Sequence, residues 1–237
     1  MDGADDIRRK IQHNAALGAN VIKVMASGGQ ITSGSPPMWA SQFSTAELRM
    51  IVEVAAAHGL PVAAHAHGTE ATASAVEAGV TTIEHCTWMR EGGFDRRDDV
   101  AKEMAERGIY VCSAMSRRWK AFLDRLGPER AAQITERIQW MDELGVRLIP
   151  GTDAGLPGSG FDDYAGALGY QAYLGFSPAR IIEMATVTSA AALGVGDITG
   201  RLAPGYSADL LVVDGDPLTG PEALGRQVLV LAAGREP

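Results

Sequence analysis

Val146-Arg147-Leu148-Ile149-Pro150 is an apolar run of strand length, and Gly151-Thr152-Asp153-Ala154-Gly155 follows it directly. A short apolar run closed by a glycine turn reads as a buried strand. This one delivers a single carboxylate, Asp153, at its C-terminal mouth. Three more groups with ligand chemistry stand at or just past strand-like runs: Lys23 within residues 21–25, His65 after 61–64, and His85 after 81–84. In a barrel of parallel strands and helices, the C-terminal strand ends converge on one site. Lys, His, His and Asp gathered there read as a hydrolytic metal centre.

Composition narrows the classes. The 237 residues carry 21 basic and 29 acidic side chains, a net charge of -8. No basic stripe follows a phosphate backbone, which excludes nucleic acid as the expected partner. No apolar run approaches the roughly 20 residues of a membrane helix, so no membrane partner is expected. The acidic start, residues 1–6, lacks the basic and apolar regions of a signal peptide. Two cysteines, Cys86 and Cys112, are too few for a disulfide framework. The expectation is a soluble cytoplasmic protein.

Strand-like runs at 21–25, 61–65, 80–83, 109–114 and 146–150 alternate with helical patterns. That alternation means a parallel sheet. A helix over about 5–17 ends at Gly18, and Ser44-Thr45-Ala46-Glu47 is a capping box for a helix that stops at Gly59. Gly79 and Gly108 close two further helices. Pro128 opens another, carrying Ile134, Ile138, Met141 and Leu144 on one face. Two long loops, 30–43 and 156–162, belong to the rim where barrel enzymes keep their sites. Ser177-Pro178 starts a helix to about residue 193, and 208–213 and 227–231 then read as strands of a small β module. A complete eight-unit barrel takes about 250 residues, so the chain accommodates only part of one.

The chemistry rests on few residues. In His65-Ala66-His67-Gly68, positions two apart on a strand face the same side, and neutral imidazole is a common zinc ligand. The plain alternative is a polar loop with two exposed histidines. His85 stands 20 residues after His65, one short βα unit on, which makes the two neighbours on adjacent strands; its alternative is a strand-closing backbone hydrogen bond. Asp153 can bind a metal or take a proton from an attacking water, or cap an Asx turn. Lys23 interrupts an apolar strand. It can pair with a carboxylate, act as a base of lowered pKa, become an anionic carbamate, or reach solvent from the strand end. Arg117 and Arg118, past the fourth strand run, can clamp a substrate carboxylate or be solvated helix-start residues. His13 and His58 read as helix-surface residues, and the two cysteines as core.

Together, residues 21–29 (Val-Ile-Lys-Val-Met-Ala-Ser-Gly-Gly), His65-Ala66-His67-Gly68, Ile83-Glu84-His85, Gly151-Thr152-Asp153-Ala154-Gly155 and the tail at 200–213 resemble the metal-dependent amidohydrolase superfamily, in its imidazolonepropionase-like and Xaa-Pro dipeptidase-like branch. The resemblance covers nearly the whole chain in motif order. It implies that Lys23 matches the fourth-strand lysine that is carboxylated and bridges two metals. His65 and His85 match the fifth- and sixth-strand ligands. Asp153 matches the eighth-strand aspartate that binds metal and shuttles a proton to the leaving amine. His67 has no ligand role by resemblance and is expected to contact substrate. Family members open with a first-strand His-x-His pair, and none precedes Lys23 here. By resemblance the chain is a fragment of a roughly 400-residue enzyme or the product of a truncated gene.

The expected architecture is therefore α/β: a partial TIM (β/α)8 barrel, about strands four to eight, over residues 1–195, with the C-terminal strands of a small β-sandwich domain over 196–237. The expected activity is hydrolysis of a carbon–nitrogen bond in an amide, a dipeptide or a cyclic amide. The expected cofactor is a divalent metal, zinc, as one or two ions. The expected partners are a small-molecule or dipeptide substrate and, at full length, further copies of the chain. A one-metal deaminase is disfavoured by Lys23, because a mononuclear site needs no bridging lysine. A catalytically inactive binding or assembly module is the alternative that the missing His-x-His pair favours.

Overall fold

The computed structural model describes residues 3–29, 31, 33–156, 159–162 and 164–236. Met1, Asp2, Gln30, Thr32, Pro157, Gly158, Asp163 and Pro237 lie outside the described residues, so the loops at 30–43 and 156–162 are described in part. The chain divides into two compact units: Met1–Cys112 with Trp140–Arg147, and Ser113–Gln139 with Leu148–Pro237.

The first unit contains α1 (Ala4–Ala16), β1 (Ile22–Met25), α2 (Thr45–Ala57), β2 (Val62–Gly68), α3 (Thr69–Ala78), β3 (Thr82–Arg90), β4 (Gly93–Phe94), α4 (Asp98–Arg107) and the start of β5 (Tyr110–Ala114). Strands β1, β2, β3 and β5 lie side by side in that order, all parallel, and β4 folds back antiparallel on β3. The two faces of β1 differ. Ile22 and Val24 are buried, whereas Lys23 and Met25 are exposed, as a period of two requires. Ile22 and Val24 join Val62, Ala64 and Ile83 of the sheet, and Leu48, Ile51, Ala71, Ala75 and Val76 of the helices, in the core.

Local chemistry sets the helix ends. At α2 the Ser44 hydroxyl accepts the Glu47 N–H, and the Glu47 carboxylate accepts the Ser44 N–H at 2.8 Å. Such a cap contributes about 1 kcal/mol. Gly79 and Gly108 end α3 and α4 in the left-handed conformation, with φ of 83° and 67°.

The second unit holds the end of β5, α5 (Trp119–Leu126), most of α6 (Pro128–Glu143) and most of β6 (Arg147–Gly151). It continues with α7 (Tyr164–Tyr173), α8 (Pro178–Glu183), α9 (Ser189–Ala192), β7 (Leu210–Val213) and β8 (Gln227–Leu231). Ser177 caps α8 by accepting the Arg180 N–H. The continuous helix expected from there to about residue 193 is interrupted: Met184–Thr188 is a π-helical turn between α8 and α9. Two hydroxyls take helix carbonyls there, Thr186 on Ile182 at 2.6 Å and Ser189 on Met184 at 2.7 Å. Side-chain bonds of this type compete with the regular ladder. Strands β7 and β8 pair antiparallel as a two-stranded sheet. Among the described residues no helix is long and apolar enough to cross a membrane.

Candidate metal centre

Strand β2 does not stop at His65 but runs on to Gly68. His65 and His67 therefore keep their period-two relation and share a face, with ring centroids 4.7 Å apart. Ser27, which is fully buried, fixes this strand end. Its hydroxyl accepts the His67 N–H at 2.8 Å, and its own N–H donates to the His65 carbonyl at 3.1 Å. Gly68 is obligatory for space rather than for conformation. A methyl group there would collide with the backbone carbonyl of Trp39, and one at Gly28 with that of Pro36. The long loop after β1 thus lies backbone-first against the histidine strand.

His85 reaches the same place by an irregular route. In register it pairs with Ala66, and a regular pleat would turn it away from His65. Positive φ at His85 (71°), Cys86 (47°) and Trp88 (55°) breaks the pleat, and the β2–β3 register shifts between Ala66 and Gly68. The left-handed region costs a non-glycine residue about 1–2 kcal/mol. Trp88 offsets it: the side chain is fully buried, its Nε1 donates to Met141 Sδ at 3.3 Å, and its ring meets Trp140 edge-on at 5.3 Å. The Cys86 thiol is driven inward, and burial pushes its pKa up.

The outcome is a triad of imidazoles. His67 and His85 stack at 4.5 Å, and His65 stands edge-on to His85 at 4.8 Å. One ring nitrogen from each of the three lies within 4.8 Å of the others, and among the described residues this is the group able to hold a metal ion. Burial, and then the neighbouring His85 and His65, pull the His67 pKa down to about 2, so the ring is neutral. Neutral imidazoles are the form that binds metal. Tetrahedral zinc with bonds of about 2.0–2.1 Å needs ligand nitrogens about 3.3 Å apart. A contraction of at most about 1.5 Å suffices, so the donor set fits the metal that the family resemblance implies.

Other site residues fall as follows. Lys23 pairs with Ala63, two rungs below the Met25–His65 pair, so it shares the His65 face at the exposed edge of β1. It also borders a groove of about 920 Å³ with α1 and α2. Asp153 belongs to the second unit, exposed just past β6 with φ of 55°. Its turn is clamped: Ser159 donates to the Thr152 carbonyl at 2.8 Å and accepts the Gly155 N–H at 2.9 Å through its own carbonyl. Arg117 and Arg118, in the same unit, line a cavity of about 390 Å³ with Leu156, Ser159, Gly160 and Asp162. Sequence reasoning missed Ser27 and Thr87. Thr87 lies 3.0 Å from His67 Nδ1 and donates to the His67 carbonyl at 3.3 Å. No spacing rule points to either residue.

The amidohydrolase family model matches residues 2–235. The chain belongs to the amidohydrolase family. Ochratoxinase of Aspergillus niger is 31% identical over 231 residues, covering 92% of this chain and 45% of that protein. Its crystal structure superposes with a TM-score of 0.82 at 29% identity, over 100% of this chain and 55% of the other. A crystal structure of a Xaa-Pro dipeptidase with methionine bound in its active site gives 0.83 at 28% identity, over 100% of this chain and 59% of the other. The chain thus spans about half the length of these relatives, from 45% to 59%.

Proposed function

We propose that this protein is a metal-dependent hydrolase of carbon–nitrogen bonds, with an amide, a dipeptide or a cyclic amide as substrate. The observation that carries the reading is the imidazole triad on two adjacent parallel strands, β2 and β3, in a chain of the amidohydrolase family. The similarity to a Xaa-Pro dipeptidase supports the bond type. On this reading residues 1–195 are strands four to eight of a (β/α)8 barrel, and 196–237 belong to a β-sandwich domain.

His65 and His85 would hold a divalent ion, zinc by donor chemistry, through ring nitrogens; once bound, it would supply Lewis-acid chemistry, acidifying water and polarising the scissile carbonyl. Lys23, on the His65 face, is the residue whose Nζ can be carboxylated into an oxygen ligand. The Asp153 carboxylate takes the proton of the attacking water and passes it to the leaving nitrogen, which departs as a neutral amine. The Arg117 and Arg118 guanidiniums suit a substrate carboxylate, which they can grip bidentately.

The test is hydrolysis of amides, dipeptides and cyclic amides by the zinc-loaded protein, with and without a chelator. Cleavage that disappears on chelation and returns with zinc is expected. A zinc-loaded protein that cleaves no member of the panel overturns the proposal.

A further inference from the structure

Asp153 stands in the left-handed region, with φ of 55°. Aspartate tolerates that region because its short side chain can bond nearby backbone, as in an Asx turn onto the N–H two residues on. Here that donor is already taken: the Gly155 N–H goes to the Ser159 carbonyl at 2.9 Å. We propose that Ser159 is a positioning residue for Asp153, holding the turn through its own bonds so that the carboxylate is released for proton transfer. The inference rests on the hydrolase reading above, which gives Asp153 that task, and extends it to the residue that frees the carboxylate.

Three bonds from one residue enclose the turn. The Ser159 hydroxyl donates to the Thr152 carbonyl at 2.8 Å, which fixes the peptide plane leading into Asp153. The Ser159 carbonyl holds Gly155, and the Ser159 N–H donates to the Leu156 carbonyl at 2.9 Å. On the strand side, the Gly151 carbonyl accepts the Met115 N–H at 2.9 Å. Asp153 therefore lies on a short span of backbone tied down at both ends.

Burial divides the labour. Ser159 is 8% exposed, whereas Asp153 is exposed. A buried clamp keeps the backbone rigid while the reactive side chain stays open to water and substrate. Of the three Ser159 bonds, the hydroxyl's alone depends on the side chain; the other two are main-chain and pass to any residue that keeps the loop in place. The Thr152 contact is thus what serine supplies and alanine would not. A serine that merely braced a surface loop would act on stability alone. A positioning serine acts through Asp153, and its effect vanishes once that carboxylate is gone.

The experiment measures kinetics on the zinc-loaded 237-residue chain, with the best substrate of the panel, and amide exchange on the same chain in chelator. Ser159→Ala should lower kcat about 10–100-fold with KM nearly unchanged, because a small misplacement of a reacting group is costly. Ser159→Thr, which keeps the hydroxyl, should restore it. In an Asp153→Asn background Ser159→Ala should cost nothing further. In the metal-free chain the Gly155 amide should be protected, and Ser159→Ala should speed its exchange about 2–10-fold, the loss of one net hydrogen bond. If the alanine variant fails to fold, Ser159→Cys, with its weak donor, carries the same tests. Full kcat in the folded variant, an equal loss in the Asp153→Asn background, or an unchanged Gly155 exchange rate overturns the assignment and leaves the hydrolase reading in place. A wild-type chain that cleaves no member of the panel overturns both.

Discussion

His67 and His85 stack with ring centroids 4.5 Å apart and an interplanar angle of 17°, although His85 leaves the regular pleat, with φ of 71°, to reach that position. A bulky residue in the left-handed region persists only where its surroundings over-determine it, and such strain gathers at functional sites. Here the determinant is Trp88 and its pocket, three residues further on. The strand is bent by a tryptophan so that a histidine can face two others.

Asp153→Asn keeps the side-chain shape and one oxygen but cannot accept a proton from water. If the proposed activity holds, kcat of the zinc-loaded protein should fall about 10²–10⁴-fold, with KM and zinc content nearly unchanged. Steady-state kinetics alongside metal analysis checks this. A variant that retains zinc and near-normal kcat removes Asp153 from the proton path.

The metal-free protein should lose stability in acid. His67 ordinarily titrates near 6.5, and its folded pKa is lowered to about 2. Between those values the unfolded chain binds a proton that the folded chain refuses, so stability is complete above about 6.5 and falls as pH drops below it. The slope from this one group approaches about 1.4 kcal/mol per pH unit. Urea unfolding at pH 7.5, 6.0 and 5.0 in chelator measures it, and His67→Gln should flatten the dependence. A wild-type stability that is level or rises toward acid contradicts the burial argument.

Gly68→Ala should be costlier than Gly79→Ala. At Gly68, where φ is already -74°, the new methyl would strike the Trp39 backbone. Overpacking of that kind costs about 1–3 kcal/mol. It would also push the loop off the histidine strand and lower zinc affinity. Gly79 has φ of 83° and open space, so only left-handed strain is paid, about 1–2 kcal/mol, with zinc affinity kept. Thermal melts and zinc titrations of the two variants separate the cases; equal zinc affinities would remove the loop from any part in the site.

The sheet ends at β1, whose outer edge pairs with no strand among the described residues, and Val21 and Met25 beside it are 47% and 43% exposed. Open edges pair with other chains. The 237-residue chain should therefore associate as concentration rises in sedimentation velocity. A sharp monomer across a hundredfold concentration range speaks against it.

Much of the parallel sheet was legible because its cues are local. The glycines at 79 and 108, the Ser44–Glu47 box and the apolar runs act within a few residues of themselves. Strand periodicity puts His65 and His67 on one face only if the strand runs past His65, and β2 does so, to Gly68. His85 shows where that reasoning stops: its register with Ala66 turns it the wrong way, and only the bend centred on Cys86 and Trp88 corrects it. The π-helical turn at Met184–Thr188 was invisible because the helical pattern continues through it. Ser27 and Thr87 carry no motif of their own; they matter through bonds to His67 from 40 and 20 residues away.

All three imidazoles come from a single β–α–β unit, β2 to α3 to β3. The contour separating the outer two is 20 residues, so closing the triad costs the entropy of a short loop rather than of the whole chain. Contacts this local form early in folding. The histidines can be gathered, and an ion captured, while the C-terminal half is still leaving the ribosome, which would make the metal a participant in folding as well as in chemistry.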